Sequence, residues 1–182
     1  MDLLVRIKTI LLAPHREWRA IAQEKREASA ALPYVAILAL LPALCHYIGA
    51  SLVGGYAAIP WSLVGALISY LSSFAVVYIV ALVINALAPT FGAQRDFAAA
   101  LKLAVYSYTP VWLAGAFLIV PGLSFLVILG LYGVYLLRSG LPILMRVAEA
   151  QAWRYAAVVG ICALVLAIGL GAVEAPFFGT TG

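Results

Sequence analysis

Charge is what this chain has least of: 10% of its 182 residues are Asp, Glu, Lys or Arg, while 66% are hydrophobic and the mean hydropathy is +1.10. So few charges cannot surface a water-soluble domain, and the composition excludes that class. Carboxylates are scarcer still. The seven acidic residues leave no pair within an apolar run that could share a proton, and Asp96, Glu149 and Glu174 fall in connections or at helix ends, where solvated carboxylates beside basic neighbours are expected. Two cysteines and two histidines make neither a disulfide framework nor a metal site. Cys45 and Cys162 sit at different estimated depths in apolar segments, which predicts buried free thiols; His46 lacks further ligands, and His15 belongs to the N-terminal segment. No metal or other cofactor is expected. The motifs of catalysis are missing too: there is no H-E-x-x-H, no G-x-S-x-G and no phosphate-cradling loop. Ser139 lies beside Arg138 without a preceding glycine, which is no setting for a nucleophile. The chain reads as a non-enzyme.

What the chain does have is apolar length. Runs longer than the roughly 18 residues that cross a bilayer recur at about 31–53, 62–88, 98–120, 122–144 and 152–174. In lipid each segment must satisfy its own backbone hydrogen bonds, and the short alternating segments of a barrel are absent, so five transmembrane helices are predicted. The fold class is all-α: a polytopic five-helix membrane domain over 31–175, preceded by an amphipathic head, 1–30, and followed by a short outer tail, 176–182. The eleven basic residues are segregated. Arg6, Lys8, Arg16, Arg19, Lys25 and Arg26 precede the first span, Arg95 and Lys102 lie at the second connection, and Arg138, Arg146 and Arg154 surround the end of the fourth span. The connections "GGYAAIP" and "VPGLS" and the tail have none. Because basic residues near helix ends stay on the cytoplasmic side, this predicts a cytoplasmic N-terminus and, after five crossings, an outer C-terminus. That asymmetry and attraction to anionic headgroups account for the net charge of +4, so membrane lipids, not nucleic acid, are the expected partners.

Residues 1–30 do not read as a signal peptide, because Arg6 and Lys8 interrupt the only apolar run and no small-residue cleavage site follows. They read as two interfacial helices. Leu3, Leu4, Ile7, Ile10 and Leu11 share one side by their three-and-four spacing, with Asp2, Arg6 and Thr9 opposite. Pro14 opens the second helix, "PHREWRAIAQEKRE", in which Trp18 and Ile21 face apolar surface while Arg16, Arg19, Lys25 and Arg26 reach headgroups. Two uses fit this pattern: an anchor that fixes depth, or a docking face for a cytoplasmic protein built from Arg16, Trp18, Arg19 and Ile21 with Arg146.

Polar groups within the spans are mostly hydroxyls. Counting about 1.5 Å per residue from the helix ends puts Ser72 and Ser73, the run Tyr106, Ser107, Tyr108 and Thr109, and Tyr132 near the bilayer centre, with Tyr135 on the same helix as Tyr132. Two readings of this layer stand. As a pathway it marks a channel or transporter subunit for a small molecule or lipid, without proton coupling because no charge lies at that depth. As packing, Gly65, Ser69 and Ser73 set a small residue every four positions for close helix approach, and hydroxyls bond across helices for roughly 0.6–2 kcal/mol each. Pro110 frees a carbonyl near Tyr106, which Ser107 or Thr109 can satisfy. Asn85 reads as a cap or bridge. Gly130 and Gly133 offer a close-contact face on which a second copy of the chain could dock.

Taken in order, "APHREWRAI", the mid-span Pro42, "YSYTP" in the third span and "YGVYLLRSGLPILM" from Tyr132 to Met145 resemble the Yip family, the Ypt-interacting-protein type of five-helix membrane proteins. The resemblance runs from about Pro14 to the fifth helix. It implies five spans after a cytoplasmic N-terminus and a non-catalytic role in organising membranes, which in eukaryotic members means engaging prenylated small GTPases. A head of only 1–30 is similar to that of the short bacterial members, which implies the inner membrane. The expected function is a membrane scaffold or partner-binding protein, with the channel or transporter subunit as the alternative.

Overall fold

A computed structural model of the chain describes residues 3–24, 31–55 and 57–178. Asp2, Lys25, Arg26, Tyr56 in the first outer connection and residues 179–182 of the tail lie outside the described residues. Among the described residues the protein is all-α, without strands. Five helical spans are long and apolar enough to cross a membrane: Leu32–Val53, Ile59–Phe91, Phe97–Ile119, Pro121–Leu144 and Glu149–Phe178. The second starts earlier than its apolar run because Pro60 suits a first helical turn, where its missing N–H costs nothing. The fifth continues to Phe178, so the segment read as tail begins inside the last helix.

Among the described residues, eight α-helices carry this architecture. α1 (Leu3–Leu12) and α2 (Pro14–Gln23) form the head; α3 (Leu32–Tyr47) and α4 (Ile59–Leu87) follow; α5 (Phe97–Ser107) and α6 (Thr109–Ala114) share the third span; α7 (Tyr132–Leu144) completes the fourth and α8 (Glu149–Phe178) is the fifth. The spans are not uniform rods. α3 contains Pro42 and passes into π-helical turns at Ile48–Val53. The third span ends as a 3-10 stretch, Gly115–Ile119, and the fourth begins as one, Pro121–Leu131.

The third span is the axis of the bundle. Its best apolar stretch is 61% buried, against 11% for the fifth span. Small and aliphatic residues allow this: Ala100, Leu103, Ala104 and Val105 of α5 are enclosed by α4, α7 and the head. α8 lies outside, against α4 and α7. Tyr155 joins it to α4 by donating to the Ile84 carbonyl and stacking on Phe91, with ring centres 4.5 Å apart.

The head is not laid on a surface. Ile10, Trp18 and Ile21 are fully buried and belong to the same core cluster as residues of all five spans. α1 and α2 turn at Ala13; α2 packs on α7, and hydrogen bonds from Arg6, Lys102 and Tyr132 tie the head to α5 and α7. Ile10, Trp18 and Ile21 of the predicted apolar faces therefore meet protein, while Leu4 stays exposed. An amphipathic stripe specifies burial but not against what, and α7 offers a fitted seat.

Candidate functional site

The head is held by a charged network that runs from exposed Glu24 through Arg6 to buried Glu17, with Lys102 buried beside it. Arg6 Nη1 donates to Glu24 Oε2 at 3.0 Å and to the Tyr106 hydroxyl at 2.7 Å, while Nη2 donates to Glu24 Oε1, a forked grip on the carboxylate. The guanidinium carbon stands 5.2 Å from the centre of the Tyr106 ring. Arg6 Nε lies 3.6 Å from Glu17 Oε1, an ion pair too long for a hydrogen bond. Lys102, buried within α5, donates to the carbonyls of Ile21 and Glu24, both at 3.1 Å. It thus caps the C-terminal end of α2, where unpaired carbonyls and the helix dipole favour a cation.

These contacts set the protonation behaviour. Its hydrogen bond to Arg6 holds the Glu24 carboxyl below the usual carboxylate range, and the same bond raises Arg6. Burial pushes Glu17 upward, and the attraction of Arg6 offsets only part of that. One guanidinium therefore serves two carboxylates unequally.

Trp18 fills a socket on α7. Its Nε1 donates to Ser139 Oγ at 3.0 Å, and that hydroxyl donates to the Leu136 carbonyl at 2.8 Å. Gly140 makes room for the ring: a Cβ there would come within 2.7 Å of Trp18 and 2.5 Å of Leu103. The other edge of Trp18 meets Tyr106, with ring centres 6.3 Å apart, and Tyr106 meets Tyr34 edge to face at 4.9 Å. The Tyr34 hydroxyl pairs with Thr109 Oγ1 at 2.7 Å, and Thr109 also bonds to the Tyr106 carbonyl at 2.8 Å. That carbonyl is the one Pro110 has no N–H to satisfy.

The predicted hydroxyl layer separates into different tasks. Tyr106, Ser107 and Thr109 are buried in the core and Tyr108 is half-buried. Tyr132 donates to the Leu11 carbonyl at 2.9 Å, and Tyr135 packs beside it at the turn between α1 and α2. Ser73 bonds back to the Ser69 carbonyl at 3.0 Å within α4, and Ser72 is half-buried nearby. Counting depth assumes straight helices and ignores which way each residue faces, so residues of equal depth need not meet. Nothing in this packing supports a pathway.

Other expectations are partly met and partly corrected. Trp18 and Ile21 turn inward while Arg16, Arg19 and Arg146 stay exposed, which splits the proposed docking face. Gly133 abuts the Ser107 carbonyl and Gly130 abuts Val111, so this close-contact face is used within the chain. Asn85 Oδ1 is buried without a hydrogen-bond partner, so that oxygen neither caps nor bridges. Glu174 is half-buried on α8 and not solvated at a free end. Asp96 caps α5, accepting from the Ala99 N–H at 3.0 Å. Cys45 is a buried free thiol as expected, Cys162 is free but only half-buried, and His46 stacks on Phe178 at 3.7 Å. Among the described residues no cluster of three or more His, Cys, Asp or Glu could hold a metal.

The spacing rules did not single out Arg6, Glu17, Glu24 and Lys102 as a unit. The available signal was a cation inside an apolar helix, Lys102 in "AAALKLAVY", because such a group needs partners to be buried.

The family model described as the Yip1 domain matches residues 8–170, nearly the whole chain. No curated protein and no solved structure matches it.

Proposed function

Because the chain belongs to the Yip1-domain family, we propose that it is a non-catalytic multi-pass scaffold of the membrane-organising, trafficking type that recruits a protein at its basic end. The supporting observation is a division among the basic residues. Arg6 and Lys102 are spent inside the fold on fixing the head, whereas Arg16 and Arg19 remain exposed on α2, which those contacts tie down, and Arg146 is exposed in the connection after α7. A preorganised basic surface binds an acidic protein face without first having to order itself. In this reading the N-terminus is cytoplasmic, the C-terminus lies outside, and the membrane is a bacterial inner membrane.

A photo-crosslinking residue at position 19 or 146, expressed in native membranes, should give a reproducible adduct. The adduct at 19 should disappear when Arg16→Glu is combined with Arg146→Glu, and the adduct at 146 when Arg16→Glu is combined with Arg19→Glu. Its mass separates a second copy of the chain from a different protein. An uncrosslinked wild-type chain at both positions would overturn the scaffold reading.

A further inference from the structure

The turn between the two head helices borders an open cleft of about 610 Å³ against α7, lined by Leu12, Pro14, His15, Arg16, Arg19 and Tyr135. Its two walls differ in chemistry. On one, Leu12 is 75% exposed, an apolar side chain that nothing in the fold covers. On the other, Arg16 and Arg19, three residues apart and so on one side of α2, make no hydrogen bond or close ion pair among the described residues, Arg16 being attracted to Glu17 only at longer range. An apolar wall beside two unpaired guanidinium groups fits an anionic amphiphile better than either a soluble anion or a neutral lipid.

The position of the cleft agrees with that chemistry. One helical turn along α7, Arg138 lies over the exposed ring of Trp153 at 5.0 Å, and Trp and Arg mark the boundary between hydrocarbon and water. Tyr135 lines the cleft, and Tyr132, its ring centre 5.3 Å away, stands behind it and bonds to the Leu11 carbonyl. Arg138 and Trp153 thus favour headgroup level within one helical turn of the cleft, shallower than the mid-bilayer depth counted for Tyr132 along a straight span. The cleft's volume is in the range that holds a small ligand.

The geometry points to a binding site for one anionic glycerophospholipid, its phosphate between Arg16 and Arg19 and an acyl chain along Leu12 and Tyr135. The lipid and the protein partner proposed above would compete for Arg16 and Arg19, but the lipid is read on the purified chain with no partner present, so a failed crosslink leaves the site standing.

The test is native mass spectrometry of the full chain, delipidated and titrated with phosphatidylglycerol or phosphatidylcholine. The first phosphatidylglycerol should bind about tenfold more tightly, as expected for two cations at the surface. Arg16→Gln with Arg19→Gln should reduce that preference to about twofold or less. Arg95→Gln with Arg146→Gln removes the same charge from the cleft between α2 and the end of α7 and should preserve it. All four side chains are exposed, so melting temperatures should change little. A preference that survives the first pair, or falls equally with the second, overturns the site. Displacement of the lipid by an equal concentration of deacylated headgroup would overturn the assignment to a lipid.

Discussion

Replacing Trp18 with alanine removes the largest of the fully buried side chains and leaves the Ser139 hydroxyl without its donor. Truncating a buried tryptophan costs about 3–5 kcal/mol, whereas Arg16→Ala on the exposed side of the same helix should stay within about 0.5 kcal/mol. Thermal unfolding in detergent reads the difference, and equal costs would mean that the socket is not formed. The two carboxylates beside Arg6 predict a pH dependence with opposite signs. Glu24 is depressed, so its contribution is present above the ordinary carboxylate range and lost as pH falls through its folded value. Glu17 is raised, so stability is higher below its unfolded value and declines as pH rises through the folded one. Acidification from neutrality should first stabilise the head and then release it. Glu17→Gln should abolish the initial rise, measured by hydrogen exchange in α2, and an unchanged rise would assign it to another group. Glu17 was visible in the sequence only as one residue of a polar face; its burial came from contacts that the helical period does not encode.

The third span shows how an element combines legible and illegible parts. Pro110 predicts a break, and the chain does pass from α5 to α6 there, with Thr109 satisfying the Tyr106 carbonyl. Which of the two neighbouring hydroxyls would do so was open, because Ser107 and Thr109 are both within reach along the chain. Thr109 also pairs with Tyr34, so it has two partners, while the Ser107 oxygen has no hydrogen-bond partner. Thr109→Val should cost about 1–3 kcal/mol by leaving those partners unpaired. Combined with Pro110→Ala, which returns a backbone donor to the Tyr106 carbonyl, it should cost at least about 0.5 kcal/mol less than the sum of the separate changes. Strict additivity in unfolding measurements would show that the repair is not shared. The 3-10 stretch at Pro121–Leu131 carried no comparable signal: its leucines, valine and isoleucine suit an α-helix equally well.

At the scale of the molecule, the head and the five spans share one core, which the division at residue 30 did not anticipate. Lys102 is the link to test, since it joins α5 to the end of α2 across 81 and 78 residues of sequence. Lys102→Met should cost about 1–3 kcal/mol by leaving two carbonyls unpaired, and should speed hydrogen exchange in α2 before the spans respond. Simultaneous loss of protection throughout would mean that the head has no opening step of its own. The proposed orientation is tested separately: a reporter that fluoresces only in the cytoplasm, fused after Gly182, should remain dark.

By itself the sequence determined an all-α membrane protein with five spans, because apolar length and the need to satisfy backbone groups in lipid leave few alternatives. It also determined that Pro110 interrupts the third span, since the missing N–H is a property of the residue. Only the tertiary structure decided that Trp18 sits on Gly140, that Lys102 caps α2 and that Arg6 binds Glu24 and Tyr106. Helical periodicity tells a side chain which way to face along its own axis. Which surface it meets depends on how separate helices fill space together, and that is settled by steric fit and pairing between residues far apart in the chain.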